Sequence, residues 1–419
     1  MDIGSLIAAA LLSLGLIGTD AVLNAGNVVF QVDVTKSLTE KGYTSAVVDA
    51  MLDSDLREIV DFKSIVHRTK IRPADQKSVV GAIAESLNLK DVTSAFQAEF
   101  GLDSIRLTGS LMGGDDKGDT FRFLLGGESF HTGKFTIDLT SEPKESLPLF
   151  LSEVATAIAG DIEPYAVAID EFHALQRKNA FLENDKDHDQ FQDFVAVQIK
   201  KAIEDRSSED NHAVFYNLLG MASLLYHEQN CSTQQFERAA AVDPELGIPL
   251  LNLATLALTE RRFDDAIRFA GLAEETRVMR EEPFLIANTR VVMGLALWGK
   301  NDLKGAAEHF HMAASVYPGS MWAYYYWGAL QNSLGNKDSA AVLLARAEYN
   351  LQIFESYPEV ALMYIKVDPT DNFNFTRVDI LQARHLGDLD PVKQDLAPVK
   401  AETADAGKPA TTAPVCMMP

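Results

Sequence analysis

Asp185, Asp187 and Asp189 stand at alternate positions, the spacing with which a calcium-binding loop opens. Such a loop needs glycine at its sharp turn and a bidentate glutamate at its end, yet Gln190 and Ala196 occupy those places. The run therefore predicts a solvated linker that caps the next helix. Gly127-Glu128-Ser129-Phe130-His131 begins like a nucleophile elbow, but His131 replaces the last glycine and the flanking residues alternate as strands do, so a hairpin is expected. His309 and His311 flank Phe310 in a helical pattern. Residues two apart point to different faces and cannot grip one metal as an i, i+4 pair would, so both are expected at the surface. The glycine-rich loops lack the lysine and Ser/Thr of a phosphate cradle. Cys231 and Cys416 lie far apart and define neither a disulfide framework nor a cysteine zinc site. Cys416-Met417-Met418-Pro419 has the outline of a prenylation box, with proline where neither common class accepts it. No nucleophile, base and orienting group come together in any local motif, so the sequence predicts no catalytic, cofactor or metal residues. Only for the α+β region described below does an enzymatic role stay open.

The elements that would carry a binding function are clearer. The chain has 419 residues, 47% of them apolar, which is ample for two or three cores. Sixty acidic residues against 37 basic ones give a formal net charge of -23, a field that repels phosphate backbones, so nucleic acid is not expected as a ligand. Gly294 is followed by Gly328, Ala306 by Ala340, Phe310 by Leu344 and Ala313 by Ala347, each at a spacing of 34 residues. Gly220 and Ala254, then Ala239 and Ala273, repeat that spacing of 34, with Phe236, Pro244, Phe263, Ala266 and Ala270 in phase. From Ala266 to Ala306 the distance is 40, so residues 276–282 must hold a longer helix or loop. Ser232 stands where the first unit should have alanine, and its turn, read at Gln229-Asn230-Cys231, lacks glycine.

A period of 34 with a small residue in one helix and Ala-large-Ala in the next resembles the tetratricopeptide repeat (TPR) family. The resemblance implies a stack of helix pairs whose first helices line a concave, protein-binding surface. It places Asn217, Met221, Leu251, Thr255, Asn288, Val291, Leu295, Trp298, Trp322, Tyr325 and Asn332 in that groove. None of them is basic, which does not support the clamp for a partner's carboxylate terminus that some TPR domains build from lysine and arginine. The groove is expected to take an apolar segment, from a partner or from a second copy of the chain, with Trp322→Ala and Tyr325→Ala weakening capture without unfolding the array. The alternative is that Trp298, Trp322 and Tyr325 are covered by a neighbouring helix or by the C-terminal segment.

The remaining stretches complete the expected order. Residues 3–19 are 17 uncharged, mostly aliphatic residues, the lower limit for crossing a bilayer, and can be read as a membrane-associated leader or as a packed helix. No lysine or arginine precedes them as a secretory signal would require. Residues 27–145 read as a small α+β domain: a β-branched strand at 28–34, a helix with Val48, Leu52, Leu56 and Ile59 on one side, helical parts near 79–87 and 91–100, then a three-stranded meander. This region resembles those preceding TPR arrays in bacterial membrane-anchored proteins. Residues 146–210 form a helical bridge with a degenerate repeat, and Pro164 starts a helix there. The array covers 211–366 with about four units and a helical cap at 359–365, a capping segment covers 367–389, and residues 390–419 lack the bulky side chains that would order them. The fold class is thus an α+β domain followed by an all-α TPR-like solenoid. The function implied is a protein-interaction scaffold or adaptor, with a regulatory or accessory subunit of an enzyme or signalling complex as the alternative. Localisation stays open.

Overall fold

The computed structural model describes residues 27–61, 64–65, 72–73, 105–113, 120–129, 133–177, 185–204, 212–226, 228–353, 357–370 and 374–377. The expected leader at 3–19, the helical parts at 79–87 and 91–100, the capping segment beyond residue 377 and the tail lie outside these residues. The described residues fall into two compact units that divide at Asp170.

The first unit is a mixed sheet with helices on one face. Its strands are β1 (Asn27–Val34), β2 (Arg72–Pro73), β3 (Ile105–Gly113), β4 (Phe121–Ser129) and β5 (Gly133–Thr140), in the order β2-β1-β3-β4-β5. The last three form the expected antiparallel meander. The β-branched strand β1 pairs parallel to β3, with Phe30 opposite Leu107, a relation that alternation within one strand cannot reveal. A short α1 (Lys36–Glu40) precedes α2 (Ser45–Val60), which packs on β1. α3 (Leu147–Ile162) packs on α2, β4 and β5. Placed by the sequence in a separate bridge, α3 belongs to this core because Phe150, Leu151, Val154 and Ile158 are fully or almost fully buried. Val28, Val32, Leu107, Leu111, Phe123 and Leu125 point to the helices, whereas Val29 and Leu124 on the opposite face are 45% and 40% exposed. That face also carries the bidentate Arg122–Asp138 pair across β4 and β5, at 2.9 and 2.8 Å.

α4 (Pro164–Arg177) starts at its proline, whose missing N–H costs nothing in a first turn. α5 (Asp185–Glu204) begins at Asp185, so the three aspartates that suggested a calcium loop are part of a helix. Acidic residues suit that end, where the unpaired N–H groups carry partial positive charge.

The second unit stacks four antiparallel helix pairs: α6 (Ala213–Leu225) with α7 (Gln229–Val242), α8 (Ile248–Thr259) with α9 (Phe263–Glu274), α11 (Pro283–Gly299) with α12 (Leu303–Val316), and α13 (Met321–Ser333) with α14 (Lys337–Gln352). The six extra residues between the second and third pairs form a separate short helix, α10 (Arg277–Glu281). The period of 34 has a direct physical cause. A Cβ at Gly220 would sit 2.5 Å from Phe236 Cε1, and one at Gly294 would sit 2.5 Å from Phe310 Cε1, so the first helix must be bare where the second presses a ring against it. Ala239, Ala266, Ala306, Ala313 and Ala347 are all at most 2% exposed, which lets neighbouring helices close together. In the first pair the turn precedes Gln229, which already lies in α7, and Ser232 takes the alanine place by donating its hydroxyl to the Gly220 carbonyl at 2.8 Å. Among the described residues beyond α14 the helical cap expected at 359–365 does not form. Residues 361–363 make a single 3-10 turn, Ile365–Asp368 is a strand (β6), and it pairs with β7 (Asn374–Arg377). Pro358 keeps Tyr357 out of helical backbone, but Ala361, Leu362 and Met363 are good helix formers, so the buried contacts of this segment and not local propensity set its path.

Candidate binding groove

α6 is buried along its whole length, and α8 from Ile248 through Leu258 except Leu250. A helix apolar on every side must be covered on more than one. Its B-helix partner covers one side of each. Chain 357–368 provides the second cover.

Two buried asparagines hold that chain by its backbone. Asn217 Nδ2 donates to the Glu359 carbonyl at 2.9 Å, and Asn252 Nδ2 donates to the same oxygen at 2.7 Å. Asn252 Nδ2 also reaches Asn217 Oδ1 at 2.9 Å, while Asn252 Oδ1 accepts the Ala361 N–H at 2.8 Å. Further along, Val367 N–H donates to the Tyr326 hydroxyl at 3.0 Å. Burial raises the Tyr326 phenol well above its ordinary range, so it stays a neutral hydroxyl, able to accept this bond. Val360, Ala361, Leu362 and Met363 are fully buried, and the 3-10 turn they form lies against α8. Tyr357 packs on Phe284 at 5.1 Å between ring centroids, and Tyr364 meets Phe172 edge-on at 6.2 Å. Lys366 Nζ lies 5.1 Å from the centre of the Tyr325 ring.

The residues placed in the groove by resemblance thus divide in two. Asn217, Met221, Leu251, Thr255, Asn288, Val291, Leu295 and Trp322 are at most 2% exposed. Trp298 and Tyr325 are half-buried and Asn332 is exposed. Tyr325, Ala329, Asn332 and Ser333 of α13 line a cleft with Val367, Asp368, Pro369 and Thr370. Among the candidate groove positions, Trp298, Tyr325 and Asn332 are the ones that reach solvent. Asn252 and Tyr326 were missed by sequence reasoning, whereas cover by the C-terminal segment was one of its alternatives. The signal for that cover was present: Ala213–Leu225 and Ile248–Thr259 have no polar face, so a single partner helix could not satisfy them.

Elsewhere the chemistry suggested by spacing does not assemble. Gly127, Glu128 and Ser129 lie in β4, paired with β5 as a hairpin. His309 is half-buried instead of on the surface, and burial followed by the charge of Arg290 lowers its pKa, keeping the ring neutral. His311 is exposed and meets Trp327 edge-on at 5.2 Å. No His, Cys, Asp and Glu cluster fit for a metal occurs among the described residues. Cys231 is buried at the start of α7.

The helical unit is a TPR-like solenoid. Its own helix pairs, glycine–ring contacts and alanine crossings carry that statement. No family model matches the chain, and no curated protein matches it. Solved structures that it is similar to include a MamA RS-1 double mutant, at 14% identity over 45% of this chain and 97% of that one, with a TM-score of 0.32. A second, described as MamA, has 17% identity over 39% of this chain and 89% of that one, at 0.31. Residues 41 to the end of MamA from Desulfovibrio magneticus RS-1 give 14% identity over 45% and 97%, also at 0.31. Likeness at this level assigns neither activity nor partner.

Proposed function

We propose that this protein is an interaction scaffold whose TPR-like groove captures a short apolar segment of another protein through its backbone. The observation that carries the reading is the set of bonds that Asn217, Asn252 and Tyr326 make with one carbonyl and two N–H groups of residues 359–367. Side-chain amides that satisfy main-chain groups, beside aromatic and aliphatic area, recognise the shape of a peptide more than its charge. A full-length chain carrying a photo-crosslinking benzoylphenylalanine in place of Tyr325 tests it. Adducts should form with short apolar segments of other proteins beside those with residues 366–370 of the chain itself, which adjoin Tyr325; the absence of any adduct with another protein would count against the scaffold.

A membrane-associated scaffold, held by residues 3–19, is the finer form of this proposal. Its support is the run of 17 uncharged residues, and no helix among the described residues is long and apolar enough to cross a membrane. Deleting residues 3–19 should move the protein from the membrane pellet to the supernatant. Unchanged partitioning would leave the scaffold without this anchor.

A further inference from the structure

The occupant of the groove belongs to the same chain. α14 ends at Gln352 and the seated segment begins at Tyr357, so only residues 353–356 lie between the array and its ligand. A tether this short gives a local concentration on the order of millimolar, against which an outside segment must compete. The bonds that hold it engage the Glu359 carbonyl and the Ala361 and Val367 N–H groups, which every peptide except one with proline in those places can offer. Side-chain specificity comes from the buried run Val360-Ala361-Leu362-Met363, small to medium and uncharged. The seated chain includes only one 3-10 turn of three residues between Tyr357 and β6. Its backbone also closes turns from Val360 N–H to the Tyr357 carbonyl, Met363 N–H to the Val360 carbonyl and Tyr364 N–H to the Ala361 carbonyl, and Ile365–Asp368 pairs with β7, so the groove bonds seat a segment that already holds its own shape.

We propose that residues 357–368 are a latch: a resident pseudo-ligand that closes the groove until a partner of like chemistry replaces it. This rests on the groove being the partner site. An empty groove would leave two asparagines, a buried tyrosine hydroxyl and the wall of α8 without their partners, so the latch is released by exchange instead of by simple opening. The partner is a protein segment that makes tight turns and then runs extended, as residues 357–368 do. It carries aliphatic or methionine side chains at the turn, no charge among them, and free N–H groups at the places of Ala361 and Val367.

The probe is a fluorescent synthetic peptide of residues 357–368, added to the full-length chain and followed by anisotropy. Leu362→Asp puts a charge where the run is fully buried, and Ala361→Pro removes the N–H that Asn252 accepts while suiting the extended Val360 before it. Both changes lie in the latch and leave the groove itself intact. Each variant should bind the peptide at least about tenfold tighter than the unaltered chain. Equal, measurable binding by altered and unaltered chains would leave the groove as a capture site and overturn the latch. No binding by any chain, with α11 amides still protected, would overturn the groove reading and the latch with it. Hydrogen exchange on the unaltered protein decides independently of any variant. The Ala361 and Val367 amides should exchange while those of α8 and α11 stay protected; exchange of all of them only together would make the segment permanent core and end the proposal.

Discussion

Trp322→Ala lowers the stability of the helical unit by about 3–5 kcal/mol, the loss expected when a large buried ring leaves a cavity. Trp322 is 2% exposed and stacks on Tyr326 at 5.5 Å between centroids, with Tyr325 edge-on at 5.8 Å. Its Nε1 has no acceptor among the described residues, so removing the indole orphans no hydrogen bond and the cost is packing alone. Tyr326 would lose its stacking partner and, with it, the fixed position of the hydroxyl that receives Val367 N–H. The expectation from sequence, that this substitution would weaken capture without unfolding the array, is therefore corrected for Trp322. It holds better for Tyr325, which is half-buried and rests on Trp322, Tyr326 and Lys366 at the rim; its alanine variant should cost about 1–2 kcal/mol. Urea unfolding of the two variants compares them. Equal losses would place the Trp322 ring outside the core.

Asn252→Leu is expected to cost a similar amount, about 3–5 kcal/mol, for a different reason. Its side chain is fully buried and bonds with Asn217, Glu359 and Ala361 at 2.9, 2.7 and 2.8 Å. Leucine fills nearly the same space, so no cavity explains a loss. What remains is the Ala361 N–H and the Asn217 Oδ1 buried without those bonds, each worth about 1–3 kcal/mol. The Glu359 carbonyl keeps Asn217 Nδ2. Differential scanning calorimetry of the full-length protein reads the effect. A loss below about 1 kcal/mol would mean that water reaches these groups once the segment loosens, as a mobile segment would allow. Asn217→Leu is the comparison, since Asn252 continues to bond both Glu359 and Ala361 there and the loss should be the smaller.

Much of the architecture was legible in the residues because each part of it is local. Gly294 and Phe310 report one contact between consecutive helices, and the same contact 34 residues later, between Gly328 and Leu344, sets the phase of the stack. Period-two alternation from Ile105 to Leu139 marks strands whose partners follow directly in sequence. The family positions proposed a groove, but could not give the burial of its residues. Whether Asn217 faces water or a main-chain carbonyl depends on a segment 142 residues further on. Nothing in the local pattern around either end encodes that distance.

Composition, repeat spacing and periodicity by themselves determined that this chain is an α+β region followed by stacked helix pairs, because side-chain volume and backbone preference act over a few residues. The parallel pairing of β1 with β3, the docking of α3 on the sheet and the seating of residues 357–368 against α6, α8 and α13 were decided only in three dimensions. Each of those joins groups far apart in sequence, and the free energy that selects them comes from burying apolar faces and matching polar groups that meet only once the helices have stacked.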